Sequence, residues 1–380
     1  MKLKTDWILF VTILAMTGFG IVMVYSASSA PAEPFYHVPP YYFAAHQIVF
    51  AAISFVVLMY FKRLDYRKLN SAAWAFTGLS IVLALLVAVI FADPKTHRWF
   101  RIPGIGSLQP SEFAKPAFIL FLAYFLSRRT EAVNQKKTLQ QACLAVAVLG
   151  ALVVVGDLGT AMVPVATTFI VFWIAGLEGK YLRRAGAVGF VLFVVFICSR
   201  GYRLKRVIEY VDPDYSKIET IDTHHRIRNY VQRSTTVRGD ASYQPRQSKI
   251  AVGTGGVLGV GLMQSKQKLM FLPEAHTDFI YATIGEELGL WGASAVILGF
   301  LVVLWRGVRL YLLAGDEFGR YLALGVTVSI VLQALINITV VLDMAPTKGF
   351  PLPMISFGGS SLVSTLASLG MLLSVSEHEG

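Results

Sequence analysis

The chain has 380 residues, 55% of them hydrophobic and only 15% charged, and a formal net charge of +11. Its mean hydropathy is +0.59, and a water-soluble chain of this length has too little interior to hide so much apolar side chain. A cytosolic enzyme and a secreted disulfide scaffold are excluded, and the positive charge points away from nucleic acid and towards anionic membrane faces or anionic lipid ligands.

A membrane-spanning helix needs ~20 apolar residues. Runs of that kind begin near Trp7, His46, Ala72, Glu112, Leu139, Ala161, Ala187, Phe279, Tyr321 and Leu362. They predict an all-α integral membrane protein of ten transmembrane helices, a single polytopic domain over 1–380. The first run follows Lys2 and Lys4 and continues to Tyr25. That is longer than the ~7–15 apolar residues of a cleaved leader, so it reads as a span, although Ser26-Ala27-Ser28 has the small residues of a cleavage site. Cys143 and Cys198 both lie in apolar runs and read as core thiols.

Basic residues set the orientation. With the N-terminus inside, the short inner segments collect Lys2, Lys4, Lys62, Arg63, Arg67, Lys68, Arg128, Arg129, Lys136, Lys137, Lys180, Arg183, Arg184, Arg306, Arg309 and Arg320. The first outer loop, Ser26 to Ala45, has none. Both termini are therefore expected in the cytoplasm. Two outer segments depart from the rule. Asp93 to Pro110 carries Lys95, Arg98 and Arg101, and the large extracytoplasmic loop between helices 7 and 8, 199–277, carries thirteen basic residues. Long loops cross regardless of charge, so these cations report either an anionic ligand or a solvated loop balanced by its seven acidic residues. Within that loop Ile250 to Met263 is apolar and holds five glycines. It is too short to span and reads as a re-entrant or interfacial segment. It lacks the GK[ST] ending of a nucleotide loop.

Ionisable groups in or beside spans are costly, ~2.5–3.5 kcal/mol at mid-helix, so each is a candidate. Glu112 and Lys115 lie three residues apart on one helix face, as a structural pair or as part of a site. Asp157, in a short outer turn, suits a helix cap. Asp278 falls where the chain enters the eighth span. Partial desolvation there raises a carboxyl pKa and suits a proton acceptor, whereas a helix N-terminus lowers it. Glu286 and Glu287 follow deeper, where one of them should face the bundle interior, and a carboxylate series of this kind also suits a proton relay. The last outer loop, Pro346 to Ser361, combines three prolines with paired glycines. Its serines, Ser356 and Ser360 among them, sit where a helix starts, able to cap it or to hold an anion.

Several of these tracts resemble one family. They are Tyr25 to Ser29; Arg98-Trp99; Gln109-Pro110-Ser111-Glu112-Phe113-Ala114-Lys115; Asp157-Leu158-Gly159-Thr160; Gln247-Ser248 with Gly253-Thr254-Gly255-Gly256; Pro273 to Ile280 with Ile284-Gly285-Glu286-Glu287; and Pro346 to Ser361. In this order they resemble the SEDS family of FtsW, RodA and SpoVE. Pro346-Thr347-Lys348-Gly349 and Glu274-Ala275-His276 are closer to its FtsW branch than to RodA. Phe357, where Tyr is usual, Asp343, where a small residue is common, and the tract before Arg98-Trp99 depart from the family pattern.

The resemblance implies a peptidoglycan glycosyltransferase in the bacterial cytoplasmic membrane. It would polymerise lipid II on the outer face beside a class B penicillin-binding protein. The family's essential carboxylate maps to Asp278, and its fourth-span ion pair to Glu112 and Lys115. Arg98, Arg101, Lys115, Lys249, Lys266 and Lys268 are the cations expected to meet the lipid diphosphate. A divalent cation, Mg or Mn, could share that task, though no ligand spacing announces one. A lipid II flippase is the alternative reading. It would need polar groups along a path through the membrane, whereas most polar weight here lies on the outer side. A scaffold of the division machinery, the third reading, would need no catalytic carboxylate.

Overall fold

A computed structural model of the chain describes residues 5–94, 96–102, 106–156, 158–199, 201–212, 243–269, 271–346 and 348–378. Asp157, Lys95 and most of the first half of the large loop lie outside the described residues.

The described residues are mainly helical, because a chain in hydrocarbon must satisfy its backbone within each segment. In chain order the helices are α1 (Trp7–Tyr36), α2 (Tyr42–Arg63), α3 (Tyr66–Leu69), α4 (Ala72–Ala92), α5 (Pro110–Ser127), α6 (Lys136–Gly156), α7 (Leu158–Ile174) and α8 (Gly179–Cys198). They continue with α9 (Gly201–Val211), α10 (Tyr243–Gly255), α11 (Ile280–Leu313), α12 (Glu317–Val341) and α13 (Gly359–His378). A small antiparallel hairpin, β1 (Phe100–Ile102) and β2 (Gly106–Leu108), pairs Arg101 with Ser107.

Eight helices are long and apolar enough to cross a membrane: α1, α2, α4, α6, α8, α11, α12 and α13. The other two expected spans fall short for plain reasons. The 18-residue α5 carries Glu112 and Lys115, which dilute its apolar character, and α7 has 17 residues. Helix α8 starts at Gly179, before the apolar run at Ala187. Its first turns carry Lys180, Arg183 and Arg184, and an apolar-run count sees only the part of a helix that lies in hydrocarbon.

Helix α13 is the axis of the bundle. Its spanning window is 83% buried, against none of the window of α8. It packs chiefly on α2, with α5 and α12 beside it. Close approach relies on small and hydroxyl residues, the usual means of joining helices without a hydrophobic driving force. Ser360, Ser361, Ser364, Ser368, Ser374 and Ser376 are all buried on α13. A buried cluster at the opposite end ties the termini together. Arg306 pairs with Asp6 at 2.7 Å, Lys62 with Glu377 at 2.7 Å, and the Asp6 amide donates to Ser376 Oγ.

Helix α11 is continuous in outline but broken at Gly289, whose φ of +64° and ψ of −157° are not helical. Such a conformation favours glycine. The carbonyls of Glu286 and Glu287 accept from the amides of Val260 and Gly261 at 3.0 Å, and the Leu290 amide donates to Gly256. The glycine-rich segment expected at Ile250 to Met263 thus packs against α11, with α10 covering its first part.

Candidate active site

Asp278 stands two residues before α11, half buried. Its backbone carbonyl accepts from Asn337 Nδ2 at 2.8 Å, and the same amide nitrogen donates to the Phe350 carbonyl at 2.5 Å. One side chain on α12 therefore joins the segment that carries Asp278 to the last interhelical loop. The fit is close. A Cβ on Gly349 would overlap the Asp278 carboxylate, so a larger residue there would displace that side chain. Its neighbour Lys348 lays its side chain along Gly159, at the start of α7.

The loop is clamped at further points. Ser356 Oγ accepts from the Leu352 amide at 2.7 Å and donates to the Thr277 carbonyl at 2.6 Å. The Phe357 amide donates to the His276 carbonyl at 3.0 Å. Gln47 on α2 donates to the Ser356 carbonyl and accepts from the Gly358 amide. Phe357, Phe43 and Tyr36 enclose the His276 ring, with centroids 4.6 to 5.8 Å from it. Burial pushes the His276 pKa below its ordinary value, opposed by the charge of Glu274.

One turn along α12, Gln333 repeats the clamp. Its Nε2 donates to the Pro351 carbonyl at 2.8 Å, and its Oε1 accepts from Lys115 Nζ at 2.7 Å. Lys115 also pairs with Glu112 at 2.8 Å, both side chains buried. The Glu112 carbonyl accepts from Ser364 Oγ at 2.6 Å. Ser360 Oγ accepts from the Gln109 amide and donates to the Ser107 carbonyl, fixing the hairpin to the start of α13. Glu112, Lys115, Gln333 and the loop around Asp278 thus form one bonded series. A buried pair is tolerable only when its remaining bonds are satisfied.

The expected cations are not all in one place. Arg98 follows a turn organised by Asp93, whose carboxyl is held down to about 2, first by the Thr96 hydroxyl. The Arg98 stem lies near Gly156. Arg101 is exposed on β1. Lys249 is exposed and pairs with Asp343 at 2.8 Å. Lys266 is exposed, and its amide donates to Glu286 at 2.8 Å.

Lys268 is sealed inside, 2.7 Å from Glu287 Oε1, while Ser26 Oγ donates to the other carboxylate oxygen at 2.5 Å. In this geometry Lys268 neutralises a buried carboxylate, and burial keeps it from a ligand at the surface. Both Glu286 and Glu287 are buried, where one interior carboxylate was expected. Glu286 accepts from Ser265 Oγ and from the amides of Lys266 and Gln267. Each carboxylate is thus spent on holding 265–268. Among the described residues no group of three or more His, Cys, Asp or Glu is placed to hold a metal ion.

Asn337, Gln333, Gln47 and Lys348 had not stood out as site residues. The glutamines and Asn337 are polar residues within apolar helices, a signal that costs in a membrane and so marks a position. Lys348 is the cation of the proline-rich loop.

The family model described as "Cell cycle protein", for FtsW, RodA and SpoVE, matches residues 6–380. The chain is 36% identical to the probable peptidoglycan glycosyltransferase FtsW of Trichlorobacter lovleyi, over 98% of this chain and 93% of that protein. It is 34% identical to stage V sporulation protein E of Bacillus subtilis, over 99% and 98%. Among solved structures it resembles a chain from a peptidoglycan synthase complex that coordinates polymerization and crosslinking. That match has a TM-score of 0.74 and 24% identity over 98% and 97% of the two chains. It also resembles the rod shape determining protein RodA of Thermus thermophilus, with a TM-score of 0.66 and 22% identity over 99% and 97%.

Proposed function

From its membership of the FtsW, RodA and SpoVE family, to which this chain belongs, we propose that it is a peptidoglycan glycosyltransferase that polymerises lipid II at the outer face of the bacterial cytoplasmic membrane. Its relatives put it in cell-wall synthesis for division and shape, nearer the FtsW branch. Ten spans, with α5 and α7 completing the eight strongly apolar helices, put both termini in the cytoplasm and 199–277 outside, in keeping with the distribution of basic residues. A class B penicillin-binding protein is the partner that would crosslink the glycan.

The observation that carries the mechanism is the placement of Asp278: a carboxylate at the mouth of a span, pressed against the Gly349 backbone and held by Asn337. In the reaction Asp278 accepts the proton of the acceptor sugar's 4-hydroxyl. That oxygen attacks the donor's anomeric carbon, the bond to the lipid diphosphate breaks, and the diphosphate leaves with the electron pair. An α-linked donor gives a β-1,4 glycan by one displacement. Diphosphate departs without an acid, so one base is enough, unlike the carboxyl pair of a glycosidase. Arg98, Arg101, Lys266 and Lys348 are the side chains that offer positive charge to the leaving group. Lys115 and Ser356 act by holding the site together, with Ser360, Glu112 and Gln333.

Flippase chemistry finds less support. Glu286 and Glu287 are tied to 265–268 by a hydroxyl, backbone amides and the Lys268 ammonium. The test is glycan synthesis from lipid II by the purified protein with its partner in detergent, where no second leaflet exists. Asp278→Asn should abolish polymer while leaving assembly with the partner intact. Polymer at the normal rate from that variant would remove Asp278 from the reaction, and no polymer from the unaltered protein would favour transport or scaffolding.

A further inference from the structure

Helices α4, α5 and α6 do not close on one another along their whole length. Near the Asp278 end they meet, where Leu86 and Val89 face Leu152 and Val153. Phe118 meets Leu149 in mid-bundle. Towards the other end a crevice of about 710 Å³ lies between the three helices. Bound ligands occupy cavities of roughly 300–1,000 Å³.

Most of its walls are apolar: Phe76, Leu83, Phe121, Leu144, Val148 and Leu149. Leu144 is 65% exposed and Phe76 52%, so the protein leaves these surfaces to something else. The walls are also stiff, since Phe76 packs edge-on against both Phe121 and Tyr124. At the C-terminal end of α5 stand Arg128 and Arg129, which complete the lining. Arg128 lies over the Tyr124 ring, and Arg129 lies over the Phe125 ring at 4.3 Å and reaches the Phe125 carbonyl. Neither guanidinium has a carboxylate partner among the described residues. Lys136 and Lys137 begin α6 at the same end of the bundle, where the helix N-terminus adds positive potential.

Long apolar walls that finish in two adjacent arginines match one kind of molecule in a bilayer, an acyl chain under a negative headgroup. We propose that this crevice is a binding site for one anionic phospholipid. Its acyl chain lies along Phe76, Leu83, Leu144 and Val148, and its phosphate is held by Arg128 and Arg129. Guanidinium matches phosphate through paired hydrogen bonds, and stacking on Tyr124 and Phe125 pre-arranges both side chains. A zwitterionic lipid fills the same walls but carries its own cation to the arginines. The span order proposed above supplies only the leaflet, the cytoplasmic one, where anionic lipid and basic residues are expected to meet. Binding itself does not depend on that reading.

The full-length protein in mild detergent is titrated with phosphatidylglycerol and, separately, phosphatidylcholine of the same chains, and adducts are counted by native mass spectrometry. The unaltered protein should hold one phosphatidylglycerol at least tenfold more tightly than phosphatidylcholine. Arg128→Gln with Arg129→Gln should erase that preference, and Arg128→Lys with Arg129→Lys should keep part of it. Ala145→Trp, which fills the crevice and spares the arginines, should weaken both lipids. Equal binding of the two lipids by the unaltered protein overturns the proposal. So does unchanged phosphatidylglycerol binding in the double glutamine variant or in Ala145→Trp, or expulsion of the lipid when a partner's helix docks. Should the glutamine variant not fold, the two-lipid comparison and Ala145→Trp decide alone. Asp278→Asn should bind phosphatidylglycerol normally, which keeps this question apart from polymerisation.

Discussion

Gly349 and Asn337 both act on Asp278, one by having no side chain and one by having the right one. Gly349→Ala places a methyl where the carboxylate lies. The expected result is a loss of polymerase rate of at least tenfold with a near-normal melting temperature, measured by lipid II polymerisation and thermal unfolding of one preparation. Asn337→Ala strands the buried carbonyl of Phe350 and the half-buried one of Asp278. Unsatisfied buried groups cost ~1–3 kcal/mol each, so both stability and rate should fall, and Asn337→Asp should not restore them because its carboxylate cannot donate.

His276 gives the site a dependence on pH. Its pKa in the folded protein is lowered, chiefly by burial, from a reference value of 6.5. Between the folded and unfolded values the unfolded chain binds more protons, so stability rises with pH there. The contribution is complete above about pH 6.5 and is lost as pH falls towards the folded value. Melting should therefore drop more from pH 7.5 to pH 5 in the unaltered protein than in His276→Phe.

The pairing of Glu112 with Lys115 was legible because a spacing of three sets both on one helical face. Their third member, Gln333, lies 218 residues from Lys115 and no local pattern announces it. Lys268 misled for the opposite reason. A lysine in a polar loop reads as solvent-facing, and only the fold brings Glu287 against it.

Between elements, the 265–268 turn is joined to α11 through a buried ion pair. Lys268→Met leaves the Glu287 carboxylate buried without its counter-ion, and breaking such a pair costs ~3–5 kcal/mol. Lys268→Met combined with Glu287→Gln should recover most of that loss, because no uncompensated charge remains. Thermal unfolding of the two single variants and the double variant measures the coupling. Helix positions followed from apolar runs, but helix ends did not. The start of α8 at Gly179 shows why, since its basic first turns belong to the helix and not to the hydrocarbon.

At the scale of the molecule, burial is uneven. Helix α13 is enclosed and α8 is not. Leu369→Ala, at a fully buried position, should cost ~2–5 kcal/mol. Phe190→Ala on α8, 68% exposed, should stay within about 0.5 kcal/mol. Unfolding in one detergent compares them, and equal losses would mean that α8 packs against something outside the chain. Composition made the class of the molecule plain, whereas the run count of ten exceeds by two the helices that are long and apolar enough to cross a membrane among the described residues. It could not reveal which helix is central, since every span is apolar and only close packing of small side chains singles out α13.

The break at Gly289 divides α11 into unequal arms. The short arm, stitched to 260–268 through the carbonyls and carboxylates of Glu286 and Glu287, has Asp278 at its tip. The long arm belongs to the bundle. The segment 260–268 and Asp278 therefore share one short stretch of helix, and a substitution in the first should reach the second along it.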